Sequence, residues 1–272
     1  MTWTTRRVSE VAPDGTAYEL SGPEGAPLVA LIHGLGLCRD VWAGLLPEFA
    51  AHYRVLNYDL YGHGESAPVP VEASLSVYSD QLAGLLDHIG ADRAAVVGFS
   101  IGGMINRRFA LDHGDRLTAL VILNSPHDRG AEGQKAVEDR AATVRDQGAF
   151  ATFDEALKRW FTPGFLASGA AAPQLVRDWR AQVDPESYAQ AAWVLANGVR
   201  ELIAPDPAIT APTLVVTCEN DSGSTPAMAR QIAAEIPGAA LAIVPALQHL
   251  GLMEAPRAFT APTLEFLERT LK

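Results

Sequence analysis

Two cysteines among 272 residues, Cys38 and Cys218, are too few and too far apart to suggest a disulfide framework. They form no CxxC pair and have no neighbours at metal-ligand spacing, so both are expected as reduced packing residues and no metal is expected. Cationic charge is also scarce. Against 32 Asp and Glu stand only 21 Lys and Arg, a formal charge of −11, and no basic stripe of the kind that nucleic acid requires is present. The carboxylates are scattered, as on a solvated surface. Long apolar runs are missing as well: residues 27–32 end at His33 and Gly34, far short of the ~18 to 20 residues that span a bilayer. Residues 1–10 carry Arg6 and Arg7 with no apolar stretch behind them, so neither a secretory leader nor a membrane anchor is expected and the protein is expected in the cytoplasm.

What is present is 48% hydrophobic residues, enough for a substantial core in one or two domains. Short apolar runs at 28–32, 53–58, 94–97, 117–123, 213–217 and 241–244 read as strands. Helical patterns separate them. Val77, Leu82, Leu85, Leu86 and Ile89 line one face of such a helix, which Gly90 ends. Continuous apolar strands joined by helices predict a mostly parallel, doubly wound α/β sheet, because parallel strands need crossover helices to return to the same edge. Residues 4–8 and 17–20, on either side of Pro13-Asp14-Gly15, read as an edge hairpin. Between 126 and 205 the strand signal disappears. Helices are expected there over 131–147, 153–161, 173–183 and 186–202. The chain thus divides into a core of 1–125 and 206–272 and a helical cap insertion of 126–205, too long for an ordinary connection and too structured for a linker.

The strongest chemical signal is Gly98-Phe99-Ser100-Ile101-Gly102, followed by Gly103, placed between a strand and a helix. A turn this tight leaves no room for side chains beside the serine, and it lifts the Ser100 hydroxyl clear of the sheet as a nucleophile. The backbone N–H of Ile101 then points at whatever binds Ser100. His33-Gly34-Leu35-Gly36 ends another strand at the same sheet edge, which makes the Leu35 N–H a second oxyanion donor and His33 a shaper of the loop. His249, after the last strand, is the general base, and a carboxylate must hold its other nitrogen as a donor. Asp221 follows the 213–217 strand, with Glu219 as its nearest rival and Asp128 as a third candidate. His52, His88, His113 and His127 fall at helix ends or in loops, and Arg107 and Arg108 are expected on the exposed side of the elbow helix.

Taken together, His33-Gly34-Leu35-Gly36, Tyr58-Asp59-Leu60-Tyr61-Gly62-His63-Gly64-Glu65-Ser66, the Ser100 elbow, Asp221 and His249 resemble the α/β-hydrolase family over nearly the whole chain. The order Ser, acid, His is the order that family uses, and the resemblance favours Asp221 over Glu219 as the acid. It also implies a structural hydrogen bond for His63 and an architectural role for Asp59. Ser100-Ile101-Gly102-Gly103-Met104-Ile105 and His249-Leu250 with Glu254-Ala255-Pro256 are similar to the 3-oxoadipate enol-lactone hydrolase-like group.

The expectation is therefore a serine hydrolase acting on a small ester or lactone, with no cofactor. Trp160 and Trp193 are the candidate substrate-binding residues of the cap; Phe161 and Trp179 offer further aromatic surface. A C–C bond hydrolase of the β-diketone type would use the same triad, and a cofactor-free perhydrolase shares the Gly98-Phe99-Ser100 phrase. A non-catalytic receptor on the same fold would not need the complete triad. Epoxide hydrolases and dehalogenases place a carboxylate where this chain has Ser100.

Overall fold

Each apolar run expected as a strand is one in the computed structural model, which describes residues 9–271. The strands are β1 (Glu10–Val11), β2 (Ala17–Ser21), β3 (Leu28–Ile32), β4 (Arg54–Tyr58), β5 (Ala94–Phe99), β6 (Leu117–Leu123), β7 (Thr213–Cys218) and β8 (Ala240–Val244). They form one sheet in the order β1-β2-β4-β3-β5-β6-β7-β8. From β4 to β8 neighbouring strands are parallel, whereas β2 joins β4, and β1 joins β2, in antiparallel register. The expected hairpin turn is present, with Gly15 at φ +85° and its N–H donating to the Ala12 carbonyl at 2.9 Å. Its expected first strand, 4–8, lies outside the described residues; the strand that pairs with β2 is β1.

Eleven α-helices are present among the described residues: α1 (Leu46–Ala50), α2 (Leu75–His88), α3 (Ile101–Asp112), α4 (Gly130–Gln147), α5 (Phe153–Trp160), α6 (Pro163–Ala167), α7 (Ala172–Arg180), α8 (Pro185–Asn197), α9 (Pro226–Glu235), α10 (Gly251–Glu254) and α11 (Arg257–Thr270). None is long and apolar enough to cross a membrane. The two-residue period of the strands divides the core. Ala30, Ile32, Leu56, Val96, Leu120 and Ile122 face the cluster built with α2, α3 and α9. Their neighbours Val29, Leu31, Val55, Val97 and Val121 face Trp42, Phe49 of α1, and Phe259 and Phe266 of α11. Helices on both faces make the sheet doubly wound, as its unbroken apolar strands require.

Helices α4 to α8 lie in the chain between β6 and β7. The 186–202 helix expected from sequence stops at Asn197, and a 3-10 stretch, Gly198–Leu202, completes it. Helix α6 was not expected. Thr162 caps it by accepting the Phe165 N–H, and Pro163 occupies its first position, where a missing N–H is harmless. The inserted helices have a small core of their own, Val137, Ala141, Val144, Val183, Tyr188, Ala192 and Ala196.

Candidate active site

Parallel strands all end on one edge, and the chemistry-bearing residues sit just past those ends. Ser100 follows β5, Asn124 follows β6, Asp221 follows β7, and His249 lies in the loop after β8. The elbow is as tight as its glycines imply. A Cβ on Gly98 would lie 2.1 Å from the Gly102 carbonyl oxygen, and one on Gly102 would lie 2.3 Å from that of Ile32. Ser100 itself is held at φ +59°, ψ −116°, a conformation that costs a non-glycine residue about 1–3 kcal/mol and persists only where its surroundings over-determine it. Here the Ser100 N–H donates to the Leu123 carbonyl at 2.9 Å, and its carbonyl accepts from Gly103 at 3.0 Å.

A single hydrogen-bonded row links the side chains. Ser100 Oγ lies 3.1 Å from His249 Nε2, and His249 Nδ1 lies 2.6 Å from Asp221 Oδ2. A carboxylate can only accept, so Nδ1 carries the proton and Nε2 is left to accept from the Ser100 hydroxyl. Asp221 is buried and accepts on both oxygens. Its Oδ2 also receives Asn124 Nδ2 at 2.8 Å, and its Oδ1 receives the N–H groups of Gly223 and Ser224, both at 2.9 Å. Burial pushes the Asp221 carboxyl up. The adjacent His249 and these donors outweigh burial and hold it below the usual carboxylate range.

The rival carboxylates are elsewhere. Glu219 is exposed and accepts the Ala246 N–H at 2.9 Å, while Asp128 accepts the Gly130 N–H at 2.9 Å in an exposed turn before α4. The N–H groups of Leu35 and Ile101, the expected oxyanion donors, make no hydrogen bond among the described residues. His33 fixes the first of these loops: its Nδ1–H donates to the Gly34 carbonyl at 2.8 Å and its Nε2 accepts the Leu60 N–H at 3.0 Å. Burial holds His33 neutral, its pKa lowered to about 4. His63 donates from Nδ1 to the Tyr61 carbonyl at 3.0 Å, inside its own loop. Asp59 accepts the N–H groups of Arg39 and Glu65 and pairs with the Arg39 guanidinium, a structural arrangement away from Ser100.

A cavity of about 150 Å³ opens above Ser100, between the sheet edge and the inserted helices. Trp160 lines it, with its ring centroid 6.5 Å from that of His249. The end of α5 also steadies the His249 loop, because the Trp160 carbonyl accepts the Leu250 N–H at 2.8 Å and the Lys158 carbonyl accepts Gln248 Nε2 at 3.2 Å. Trp193 does not join the site. It is 51% exposed on the outer face of α8, since helical spacing turns Tyr188 and Ala192 inward and leaves position 193 outside. Phe161 and Trp179 are buried in the core below. Arg107 is also unlike its expectation: it is buried, and it donates to the Gly103 carbonyl at 3.0 Å, Ser125 Oγ at 3.3 Å and the Pro126 carbonyl at 2.7 Å. The Gly103 carbonyl of its own helix, with the Ser125 hydroxyl and the Pro126 carbonyl just past β6, gives this guanidinium acceptors that solvent would otherwise supply. Arg108 stays at the surface with Asp112.

Sequence reasoning missed two groups. Asn124 braces Asp221; a polar residue closing the apolar end of β6 was the available signal. Four arginines, Arg129, Arg140, Arg159 and Arg180, line the cavity. Arg180 is buried with no carboxylate beside it; its guanidinium packs over Tyr188 at 4.5 Å from the ring centroid and donates to the Ala149 carbonyl at 3.0 Å. It also presses on the Leu35 loop, where Gly36 sits at φ +69° and a Cβ would come within 2.1 Å of Arg180 Nε.

Comparison with known proteins agrees with this geometry. Residues 29–262 match the model of the alpha/beta hydrolase family. The chain is 27% identical over 263 residues to an (E)-2-((N-methylformamido)methylene)succinate hydrolase of Acinetobacter baylyi, covering 96% of this chain and 97% of that protein. It is 28% identical over 243 residues to 3-oxoadipate enol-lactonase 2 of the same organism, covering 89% of each. Among solved structures, the enol-lactonase from Burkholderia xenovorans LB400 superposes with a TM-score of 0.85 at 28% identity, over 93% of this chain and 96% of that one. A malate-bound thermophilic esterase from Thermogutta terrifontis does so with a TM-score of 0.83 at 28% identity, over 98% and 100%.

Proposed function

The chain belongs to the α/β-hydrolase family and is a hydrolase, and on that premise we propose that it cleaves a small carboxylic ester or lactone through an acyl-enzyme on Ser100. The observation that carries this reading is the unbroken row Asp221, His249, Ser100, with contacts of 2.6 and 3.1 Å. His249 takes the Ser100 proton as the oxygen attacks the carbonyl carbon, and Asp221 stabilises the imidazolium that results. The N–H groups of Leu35 and Ile101 receive the developing oxyanion. His249 then gives its proton to the departing alkoxide, which leaves as the alcohol or, from a lactone, stays tethered to the acyl group. Water, deprotonated by the same imidazole, adds to the acyl carbon and releases the acid and Ser100. No step calls on a metal or an organic cofactor.

In this reading the 126–205 helices act as a cap that decides which acyl groups reach Ser100, and Trp160 is their aromatic contribution to the pocket. The lactone option draws support from the similarity to the two enol-lactonases. A panel of nitrophenyl esters, lactones and β-diketones tests the assignment. Turnover of esters or lactones that disappears in Ser100→Ala is the expected result; cleavage of diketones alone would replace it with a C–C bond hydrolase.

A further inference from the structure

His249 stands further from its strand than the groups it works with. Ser100 follows β5 directly, and Asp221 sits on a turn closed by its own N–H on the Cys218 carbonyl at 3.2 Å. By contrast β8 ends at Val244, and the chain passes through Ala246 at φ +61° before it reaches His249. The core's hydrogen bonds follow it only part of the way. Glu219 accepts the Ala246 N–H at 2.9 Å, and the Leu247 carbonyl accepts the Asn220 N–H at 3.0 Å. From Gln248 to Glu254, apart from the bonds of the His249 ring, the hydrogen bonds that leave the segment among the described residues run to the end of α5 and the residues just past it. The Lys158 carbonyl accepts Gln248 Nε2 and the Trp160 carbonyl accepts the Leu250 N–H, so the residues on both sides of His249 are held. Further on, the Glu254 carboxylate takes Thr162 with both oxygens: Oε1 accepts its N–H at 2.8 Å and Oε2 its hydroxyl at 2.7 Å. The Thr162 hydroxyl in turn accepts the Phe165 N–H at 3.3 Å, so its one proton and a lone pair are both committed. Leu252 and Met253 bury α10 in the core, but apolar burial has no direction. Hydrogen bonds do.

We propose that Thr162 and Glu254 are positioning residues for His249: by clamping the end of α5 to α10, they hold the imidazole at the distance from Ser100 that proton transfer needs. This rests on the serine-hydrolase reading of Ser100 and gives the inserted helices a second task, since on that reading alone they only select acyl groups. A carboxylate suits the clamp because it accepts two bonds at once, and such bonds are stronger than those to a neutral acceptor. Trp160, between Lys158 and Thr162 in the chain, is fixed by the same clamp, and its ring keeps its place beside His249, 6.5 Å between centroids. The other end of the insertion is tied elsewhere: Ser187 and Gln190 of α8 accept the N–H groups of Val69 and Ala73 at 3.0 and 2.8 Å. Those ties reach no residue of the triad. A misplacement of ~1 Å costs on the order of a hundredfold in rate, so a clamp that prevents part of such a shift in His249 accounts for about tenfold.

The test is turnover of p-nitrophenyl acetate, corrected by that of Ser100→Ala, in variants that undo the clamp. Thr162→Val and Glu254→Met are each expected to lower kcat by roughly tenfold with KM within about twofold. Thr162→Ser, which keeps the hydroxyl, stays within about twofold of wild type. Gln190→Met breaks a tie of the same kind at the other end of the insertion and leaves kcat as it was. The decisive readout is a His249→Ala background, because a clamp that acts through His249 has nothing to position there: adding Thr162→Val or Glu254→Met changes the residual rate by less than about twofold. Urea midpoints, with fluorophosphonate labelling carried to completion wherever His249 is present, confirm that each variant is folded. Thr162→Val and Glu254→Met enzymes that fold and keep the wild-type kcat overturn the clamp. So does an equal loss with and without His249, which would make the pair a support of the insertion as a whole. In both cases the serine-hydrolase reading stands. A wild type that neither labels nor turns over the ester defeats that reading, and the clamp with it.

Discussion

The C-terminal edge of the sheet and the helices laid over it share one cavity but meet it in different ways. At the sheet edge Ser100, Asn124 and Asp221 sit on short turns directly after buried strands, and backbone hydrogen bonds fix them: Ser100 N–H to Leu123, Asn124 N–H to Val216, Asp221 N–H to Cys218. Across the cavity the inserted helices contribute long side chains, Trp160 and four arginines, from a segment whose own core is small and rich in alanine. Backbone-mounted groups hold a geometry to a fraction of an ångström, as proton transfer requires. Groups at the ends of long side chains suit selection by charge and shape.

Breaking the sheet edge should have the largest effect. Asp221→Asn is expected to lower kcat by about 10⁴, because the amide no longer fixes the His249 tautomer, whereas Glu219→Gln, on the same loop, leaves kcat within about twofold of wild type. A large loss in Glu219→Gln with little in Asp221→Asn would place the acid at Glu219. Stability sharpens the contrast next. Phe259→Ala, under the sheet, should cost about 3–5 kcal/mol, and Val144→Ala, in the small core of the inserted helices, about 2 kcal/mol; urea midpoints measure both. Similar costs would mean that the insertion is packed as tightly as the sheet.

The sheet edge was legible because backbone geometry writes itself into residue type. Gly98 and Gly102 are there because nothing larger fits, and the apolar run before Asp221 locates its strand. The edge also explains where reading the sequence stops: Asn124, 97 residues from Asp221, meets it only because β6 and β7 are neighbours in the sheet. Within the insertion a helical repeat announces which side is apolar but not what that side faces. Trp193 and Trp160 have the same composition signal, yet one is on the outer face of α8 and the other lines the cavity. Arg107 was read as a surface residue because arginine usually is one, and two of its acceptors, Ser125 Oγ and the Pro126 carbonyl, lie past the end of another strand, β6.

Smaller effects follow from the loops after β3 and β4, which pack against the inserted helices. His33 and His63 are buried neutral, with pKa values lowered to about 4 and about 3 from an ordinary 6.5. The unfolded chain then binds more protons, so the stability they contribute is complete above pH 6.5 and is lost as pH falls towards those lower values. Urea unfolding between pH 7 and pH 4 should show this slope, and a His33→Gln variant should show a shallower one; an unchanged slope would remove His33 from the account. Smallest of all, Trp193→Ala should change stability by less than about 0.5 kcal/mol and kcat/KM by less than about twofold. A larger loss of activity would return Trp193 to the pocket.

Ser100 is the centre of the proposed chemistry, and the most direct test of its role is peptide mapping after fluorophosphonate treatment, run beside the turnover of Ser100→Ala. The predicted result is one adduct, on Ser100, with ester or lactone turnover in the variant lower by on the order of 10³ or more. An adduct on another residue, or a Ser100→Ala enzyme that still turns over its substrate at the wild-type rate, would contradict it.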